Sequence, residues 1–211
     1  MGGFITFSEY EYIDNIRMKT RLAHLVSNLL NPFVLSLTVI MVLAYESSAS
    51  PVDAFKWLLI IIGTSVLPVY VTSVYMVRAG QLDGIFSNRR KQRTKIYIIG
   101  IACAAVSYLL LWLLGAPDGL MAALAAALSA SILFMAINTV WKISVHTAFV
   151  TAAAIMLIIL YGWVGVIALA MVPLTVWARM ELSQHSLAQA LAGVALSGLI
   201  MVTVFYLFGV I

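Results

Sequence analysis

The sequence predicts an all-α, polytopic transmembrane helical bundle with six to seven spanning helices and an N-terminal interfacial helix. Hydrophobic residues make up 64% of the 211 residues and charged residues only 9%, against roughly 25% charged residues in an ordinary soluble domain. The apolar residues also gather into runs near the length of about 20 that carries a helix across a bilayer. We expect each run to be helical, because its backbone polar groups have no water partners in lipid.

Seven apolar runs, separated by polar or turn-forming breaks, are the candidate spans. The break at 115–119 reads Gly-Ala-Pro-Asp-Gly and predicts a tight turn. Gly162 predicts a second hairpin between two aromatic residues of the kind that favour the membrane interface, since one straight helix over 147–177 would be about 46 Å long. The runs are 29–45, 57–77, 96–114, 120–140, 144–161, 163–177 and 187–211.

The first 28 residues form a separate amphipathic segment ahead of the helical domain at 29–211. Ser8 and Glu11 have the spacing of a capping box. Five apolar residues then roughly follow one helical face, and they are Ile13, Ile16, Leu22, Val26 and Leu29. The pattern predicts a helix that lies on the membrane surface.

The positive charges are distributed unequally between the two sides of the membrane. Seven crossings would place eleven of the twelve Lys and Arg residues on one side, with Lys56 alone opposite. The positive-inside rule then makes the crowded side cytoplasmic, and we expect an integral protein of a bacterial or archaeal plasma membrane. Membrane lipids are the expected partners, and nucleic acid is not, because no soluble domain carries the charge. The sequence indicates no oligomeric state.

Ionisable residues enter the apolar sequence at two places, each at the start of a predicted helix on the crowded side. Such residues are costly at membrane depth, and a helix N-terminus favours an anion. Phosphoryl transfer needs cations, a nucleophile and an acid for the leaving oxygen. Carboxylates are few here, so we expect neither a metal nor a cofactor. The two stretches supply Lys142, Ser144, His146, Arg179, His185 and Gln189.

In their order and spacing these stretches resemble the type 2 phosphatidic acid phosphatase superfamily, membrane phosphatases related to vanadium haloperoxidases. The sequence Ile-Ser-Val-His at 143–146 keeps the Ser and the His of the family's Pro-Ser-Gly-His motif. Arg179, five intervening residues and His185 match the family's Ser-Arg-x5-His-x3-Asp motif. In that motif Ala178 replaces the Ser, and Gln189 replaces the Asp.

The family's first motif, Lys-x6-Arg-Pro, has a weaker counterpart in the basic run at 88–95. This run lacks the Arg-Pro pair and the six-residue spacing, and Arg93, followed by Thr94, is the closest candidate. A basic loop beside a membrane also commonly does no more than set topology and contact anionic lipid. The resemblance covers roughly residues 80–200, and two spans between successive motifs would bring all three to one face.

The resemblance implies a role for each residue. His185 would attack phosphorus to form a phosphohistidine, and His146 would protonate the leaving lipid oxygen. Gln189 stands where the family has a carboxylate that orients the nucleophile, and its carbonyl can accept the same ring N–H bond but offers no negative charge.

The phosphate-binding residues are expected to be cations and one hydroxyl. Arg179 and Arg93 would hold the phosphate oxygens, and Ser144 would donate a further hydrogen bond. Lys142 lies outside the three motifs, and its charge and position alone assign it the same role.

The expected function is a metal-independent lipid phosphatase that acts on a lipid phosphate monoester or a prenyl (di)phosphate. One alternative is a non-catalytic protein that binds or transports an anion or lipid phosphate in the same basic pocket. Another is a structural membrane protein whose basic loop docks anionic lipid or a protein. The sequence does not indicate which phosphorylated lipid is the partner.

Overall fold

The computed structural model describes the backbone of residues 7–87 and 89–211, and side chains from residue 15 onward except at 88. The predicted capping box of Ser8 and Glu11 and the side chain of Ile13 therefore lie outside the described residues. Over the described ranges the chain is helical and contains no strand. The α-helices are α1 (Phe7–Leu29), α2 (Pro32–Ser47), α3 (Pro51–Ile61), α4 (Leu67–Arg78), α5 (Arg90–Leu113), α6 (Asp118–Asn138), α7 (Val145–Tyr161), α8 (Met171–Glu181) and α9 (Leu187–Leu207).

Both predicted turns are present, and each uses a glycine in the left-handed region. Gly115 has φ of 69° between α5 and α6, and Gly162 has φ of 58° directly after α7. From Gly162 a 3-10 helix leads into α8 and runs back along α7. A Cβ atom on Gly165 would collide with the carbonyl oxygen of Leu157. The chain therefore forms a close-packed helical hairpin.

Five continuous helical stretches of the described chain are long and apolar enough to cross a membrane. A sixth is added if α1 and α2, which meet at a bend of 41°, count together. One of the five, Val145–Glu181, has 37 residues and contains both arms of the hairpin that the sequence counted as two spans. Its arms measure about 26 Å for α7 and about 35 Å for the return arm. The predicted transmembrane helical bundle is confirmed.

The predicted span at 57–77 is longer than expected and is not a regular α-helix. It runs from Pro51 to Arg78, and its middle residues, Ile62–Val66, form a turn of π-helix. The hydroxyl of Thr64 donates to the carbonyl of Ile60 at 2.7 Å and lies 2.5 Å from the hydroxyl of Ser107 on α5. This contact fixes the irregular turn against its neighbour.

The start of α7 is held against the start of α9, and this contact positions the site. The hydroxyl of Thr147 donates to the carbonyl of Ala190 at 2.9 Å. A Cβ atom on Gly193 would lie 2.5 Å from the carbonyl oxygen of Ser144, so only glycine allows this approach. The residues before α7 and those before α9 consequently lie at the same end of the bundle.

The two ends of the bundle are held by different contacts. At the end away from the site, the hydroxyl of Tyr161 donates to Glu46 at 2.9 Å, and Lys56 pairs with Asp53 at 3.7 Å. At the site end, α1 packs on α8 and buries Ala23 and Ser27. The placement of α1 on a membrane surface stays a prediction.

Candidate functional site

Three cations from separate elements converge on one histidine at the end of the bundle. Arg93 lies in the first turn of α5, Lys142 in the loop between α6 and α7, and Arg179 in the last turn of α8. Burial, reinforced by the positive charges of these three residues, lowers the pKa of His185 to about 3. The structure therefore brings together residues that lie up to 92 positions apart in the sequence.

Arg93 joins two loops around the site. Its Nε donates to the carbonyl of Ser87 at 2.7 Å, and its Nη1 donates to the carbonyl of Ile143 at 2.9 Å. Both acceptors are neutral backbone oxygens, so these bonds fix the side chain without neutralising it. The remaining guanidinium donors are available to an anion.

Arg179 is almost fully buried, with 5% of its surface exposed. Its Nη1 donates to the hydroxyl of Ser27 on α1 at 2.8 Å, and its Nη2 donates to the amide oxygen of Gln184 at 3.5 Å. Its Nε is buried and has no partner. Neither Arg179 nor Arg93 forms a salt bridge with a carboxylate in the described part of the chain. An anion bound here would pair with both charges.

Lys142 lies close to the two arginines and also contacts Gln184. Its ammonium donates to the carbonyl of Gln184 at 2.6 Å. Burial and then repulsion by Arg93 and Arg179 lower the pKa of Lys142 to about 8, while the charge of Asp83 acts in the opposite direction. Burial is the largest cause of this fall, and the repulsion that adds to it places Lys142 within electrostatic range of both arginines.

The turn after α8 explains the spacing of five residues between Arg179 and His185. The carbonyl of Arg179 accepts the N–H groups of both Gln184 and His185, at 3.0 and 3.2 Å. Ser183 takes a left-handed φ of 52° to close this turn. The turn folds His185 back over the end of α8, beside the guanidinium of Arg179.

Gln189 holds the ring of His185 in one orientation and one tautomer. The amide oxygen of Gln189 lies 3.1 Å from Nδ1 of His185 and also accepts the N–H of Ser186 at 3.3 Å. The hydroxyl of Ser186 accepts the N–H of Gln189 in return, which completes a capping box at the start of α9. Because the carbonyl oxygen accepts, Nδ1 carries the proton and Nε2 of the neutral ring carries the lone pair.

His146 lies in the first turn of α7 and is 3% exposed. Its ring meets the edge of Phe86 at 4.7 Å between centroids, and it lies within electrostatic range of Arg179 and His185. The neighbouring Ser144 caps α7, and its hydroxyl accepts the N–H of Thr147 at 3.4 Å. That contact leaves the hydroxyl proton of Ser144 for another acceptor.

A cavity of about 340 Å³ opens from His146 and Arg93 into the bundle. Side chains from each of the helices α2 to α7 and from α9 line it, and most are apolar. Tyr97, one turn along α5 from Arg93, lines the cavity with a buried hydroxyl that has no hydrogen bond. The polar groups are concentrated at the site end.

All seven residues predicted for the site lie at this end of the bundle, and the structure adds others. Gln184 was not among the predicted site residues, yet its backbone carbonyl binds Lys142 and its side-chain oxygen binds Arg179. Its position inside the interval between Arg179 and His185 was an available signal. No sequence signal pointed to Ser27, because it lies 152 residues from Arg179, which donates to its hydroxyl.

The described residues contain no group of three His, Cys, Asp or Glu side chains that could hold a metal ion. Comparison of the chain with protein families, with curated proteins and with solved structures finds no match.

The charge of Lys142 predicts a pH dependence of anion binding. With a pKa of about 8, Lys142 is charged below that pH and loses its charge as the pH rises through it. We expect the affinity for inorganic phosphate to fall by about tenfold or more as the ammonium is lost, since a charged hydrogen bond disappears. The measurement is titration calorimetry between pH 7 and 10.

Lys142→Arg is the matched variant, because a guanidinium stays charged over this range. It should retain its affinity above pH 8, apart from the change that titration of phosphate itself causes in both proteins. Lys56→Arg, at the opposite end, should behave as wild type. Identical profiles for wild type and Lys142→Arg would contradict a role for Lys142 in anion binding.

Proposed function

We propose that this protein is an integral-membrane lipid phosphatase and a divergent member of the type 2 phosphatidic acid phosphatase superfamily. Its substrate is a lipid phosphate monoester or a prenyl (di)phosphate, and the reaction passes through a phosphohistidine at His185. One observation carries the proposal. A buried neutral imidazole, with its lone pair on Nε2, lies within the field of three cations, and one of these, Arg93, also lines an apolar cavity.

The first step transfers the phosphoryl group to the enzyme. Nε2 of His185 bonds to phosphorus as the bond from phosphorus to the lipid oxygen breaks, and His146 gives its proton to that oxygen. The arriving phosphate supplies the negative charge that favours a protonated His146. In the second step water attacks phosphorus and gives a proton to His146, and the bond to His185 breaks to release phosphate.

The cations stabilise the charge on the transferring group. Arg93, Lys142 and Arg179 would hold the equatorial oxygens, with the hydroxyl of Ser144 as a further donor. Their bonds to backbone carbonyls and to Gln184 fix them before the substrate binds, which reduces the reorganisation that the reaction requires.

One contact favours a second candidate, a protein that binds or transports lipid phosphates without cleaving them. The partner of His185 is the neutral amide of Gln189, which orients the ring but does not stabilise the positive charge that the imidazole gains during attack. The same cationic cluster would then bind the phosphate, and no phosphoenzyme would form.

Phosphate release from a panel of lipids tests the proposal. The panel contains a diacylglycerol phosphate, a prenyl phosphate and a prenyl diphosphate, with purified protein in lipid nanodiscs. We expect release from at least one of them, no release by His185→Ala, and a loss of about 100-fold or more for His146→Ala, since a positioned acid contributes that much.

His24→Ala is the control, because His24 is the third histidine and lies exposed on α1; it should retain wild-type activity. The hydrolase proposal fails if the wild type releases no phosphate from any lipid, or if His185→Ala equals wild type. Binding of a lipid phosphonate that needs Arg179, in a protein without hydrolysis, would instead support the binding protein.

We propose further that the site faces the cytoplasm, on the basis of the positive charges at that end of the bundle. The test places single cysteines in a Cys103→Ala background, since Cys103 is the native thiol. Ala79→Cys at the site end and Val52→Cys at the other end are both exposed. An impermeant maleimide should label Val52→Cys on intact cells and Ala79→Cys only after permeabilisation. The reverse pattern would overturn the assignment.

A further inference from the structure

We propose that the cavity binds the hydrocarbon chain of the lipid phosphate inside the helix bundle, while the phosphate lies at the cationic cluster. The inference deepens the proposed function and shares with it the binding of a lipid phosphate, but it does not require that the phosphate be cleaved.

The cavity has the direction and the length that a chain needs. Along α7 its lining extends from His146 to Met156, ten residues or about 15 Å, which is about half of the hydrocarbon thickness. The lining residues farthest from the site include Leu43, Ile61 and Leu120, each at most 2% exposed. A chain in this part of the cavity would be surrounded by protein.

The walls suit an apolar occupant. Four of the hydroxyls that line the cavity already donate to backbone carbonyl oxygens, at 2.6 to 2.8 Å, and they belong to Ser36, Ser73, Ser131 and Ser197. Their protons are therefore not available to water or to a polar ligand. The other lining residues beyond the site end are mostly aliphatic or aromatic. This part of the cavity therefore favours a hydrocarbon chain over water, because water would find few hydrogen-bond partners there.

The polarity of the cavity changes along its length, and this identifies the occupant. Arg93 and His146 lie at the mouth, and the unpaired hydroxyl of Tyr97 lies one turn deeper. Beyond this point the lining has no charged group. A ligand that satisfies both regions carries an anion at one end and a hydrocarbon chain at the other, which is the chemistry of a lipid phosphate.

This arrangement makes affinity depend on chain length. A chain that remained in the bilayer would leave the phosphate site with little ability to distinguish a long chain from a short one. A chain inside the bundle would add packing contacts with the cavity walls for every methylene group until the cavity ends.

Gly100 provides the test. It lines the cavity two turns along α5 from Arg93, about 10 Å away, and a Cβ atom added there meets nothing within 4 Å. Gly100→Phe would therefore fill the cavity beyond the reach of a butyl chain but within the path of a hexadecyl chain. Ala102→Phe is the matched control, because Ala102 lies on the same helix, is exposed, and does not line the cavity.

The experiment measures the binding of butylphosphonate and hexadecylphosphonate to protein in nanodiscs, since the P–C bond of a phosphonate resists hydrolysis. We expect Gly100→Phe to weaken hexadecylphosphonate binding by at least about tenfold and to bind butylphosphonate within about twofold of wild type. Ala102→Phe should match wild type for both. Wild-type affinity of Gly100→Phe for hexadecylphosphonate, or equal weakening for both probes, would overturn the proposal.

Phosphate release measured on the same preparations separates the two proposals. Chain-dependent binding without any release would uphold the cavity and refute the phosphatase. Release from lipid phosphates with no effect of Gly100→Phe on the hexadecyl probe would uphold the phosphatase and refute the cavity.

Discussion

The repulsion among Arg93, Lys142 and Arg179 is the constraint on which the site depends. Like charges repel more strongly where burial reduces their contact with water, and these three act together on His185. Hydrogen bonds to neutral groups hold the three side chains close together. The acceptors include the backbone carbonyls of Ile143 and Gln184 and the side-chain oxygen of Gln184. Such bonds fix positions without removing charge. A phosphate bound between the cations would relieve this repulsion, and the relief would contribute to the affinity for the anion.

The same turn that brings the charges together also positions His185, the proposed nucleophile. His185 follows directly on the bonds that close the end of α8, and Gln189 belongs to the first turn of α9. The side-chain amide of Gln189 thus both caps α9 and orients the imidazole of His185. The capping box requires the carbonyl of Gln189 to accept, which selects the tautomer of His185. A carboxylate would add negative charge in the transition state, and its absence predicts slower chemistry with the same geometry.

Local patterns in the sequence predicted much of this arrangement. The turns at Gly115 and Gly162 were predictable because glycine favours a backbone reversal, and the contact between His185 and Gln189 was expected from the resemblance to the phosphatase motif. The contact of Ser27 with Arg179, the π-helical turn at Ile62–Val66 and the cavity were not predictable. Each arises from packing between distant segments, and no local pattern encodes it.

The central claim is that Nε2 of His185 forms a bond to phosphorus. The most direct measurement is mass spectrometry of protein quenched in base during turnover, which preserves the acid-labile phosphohistidine. We predict an added phosphoryl group on His185 in wild type, and more of it in His146→Ala when the substrate has a good leaving group that needs no acid. A protein that releases phosphate while His185 remains unmodified, or with the phosphoryl group on another residue, would contradict the account.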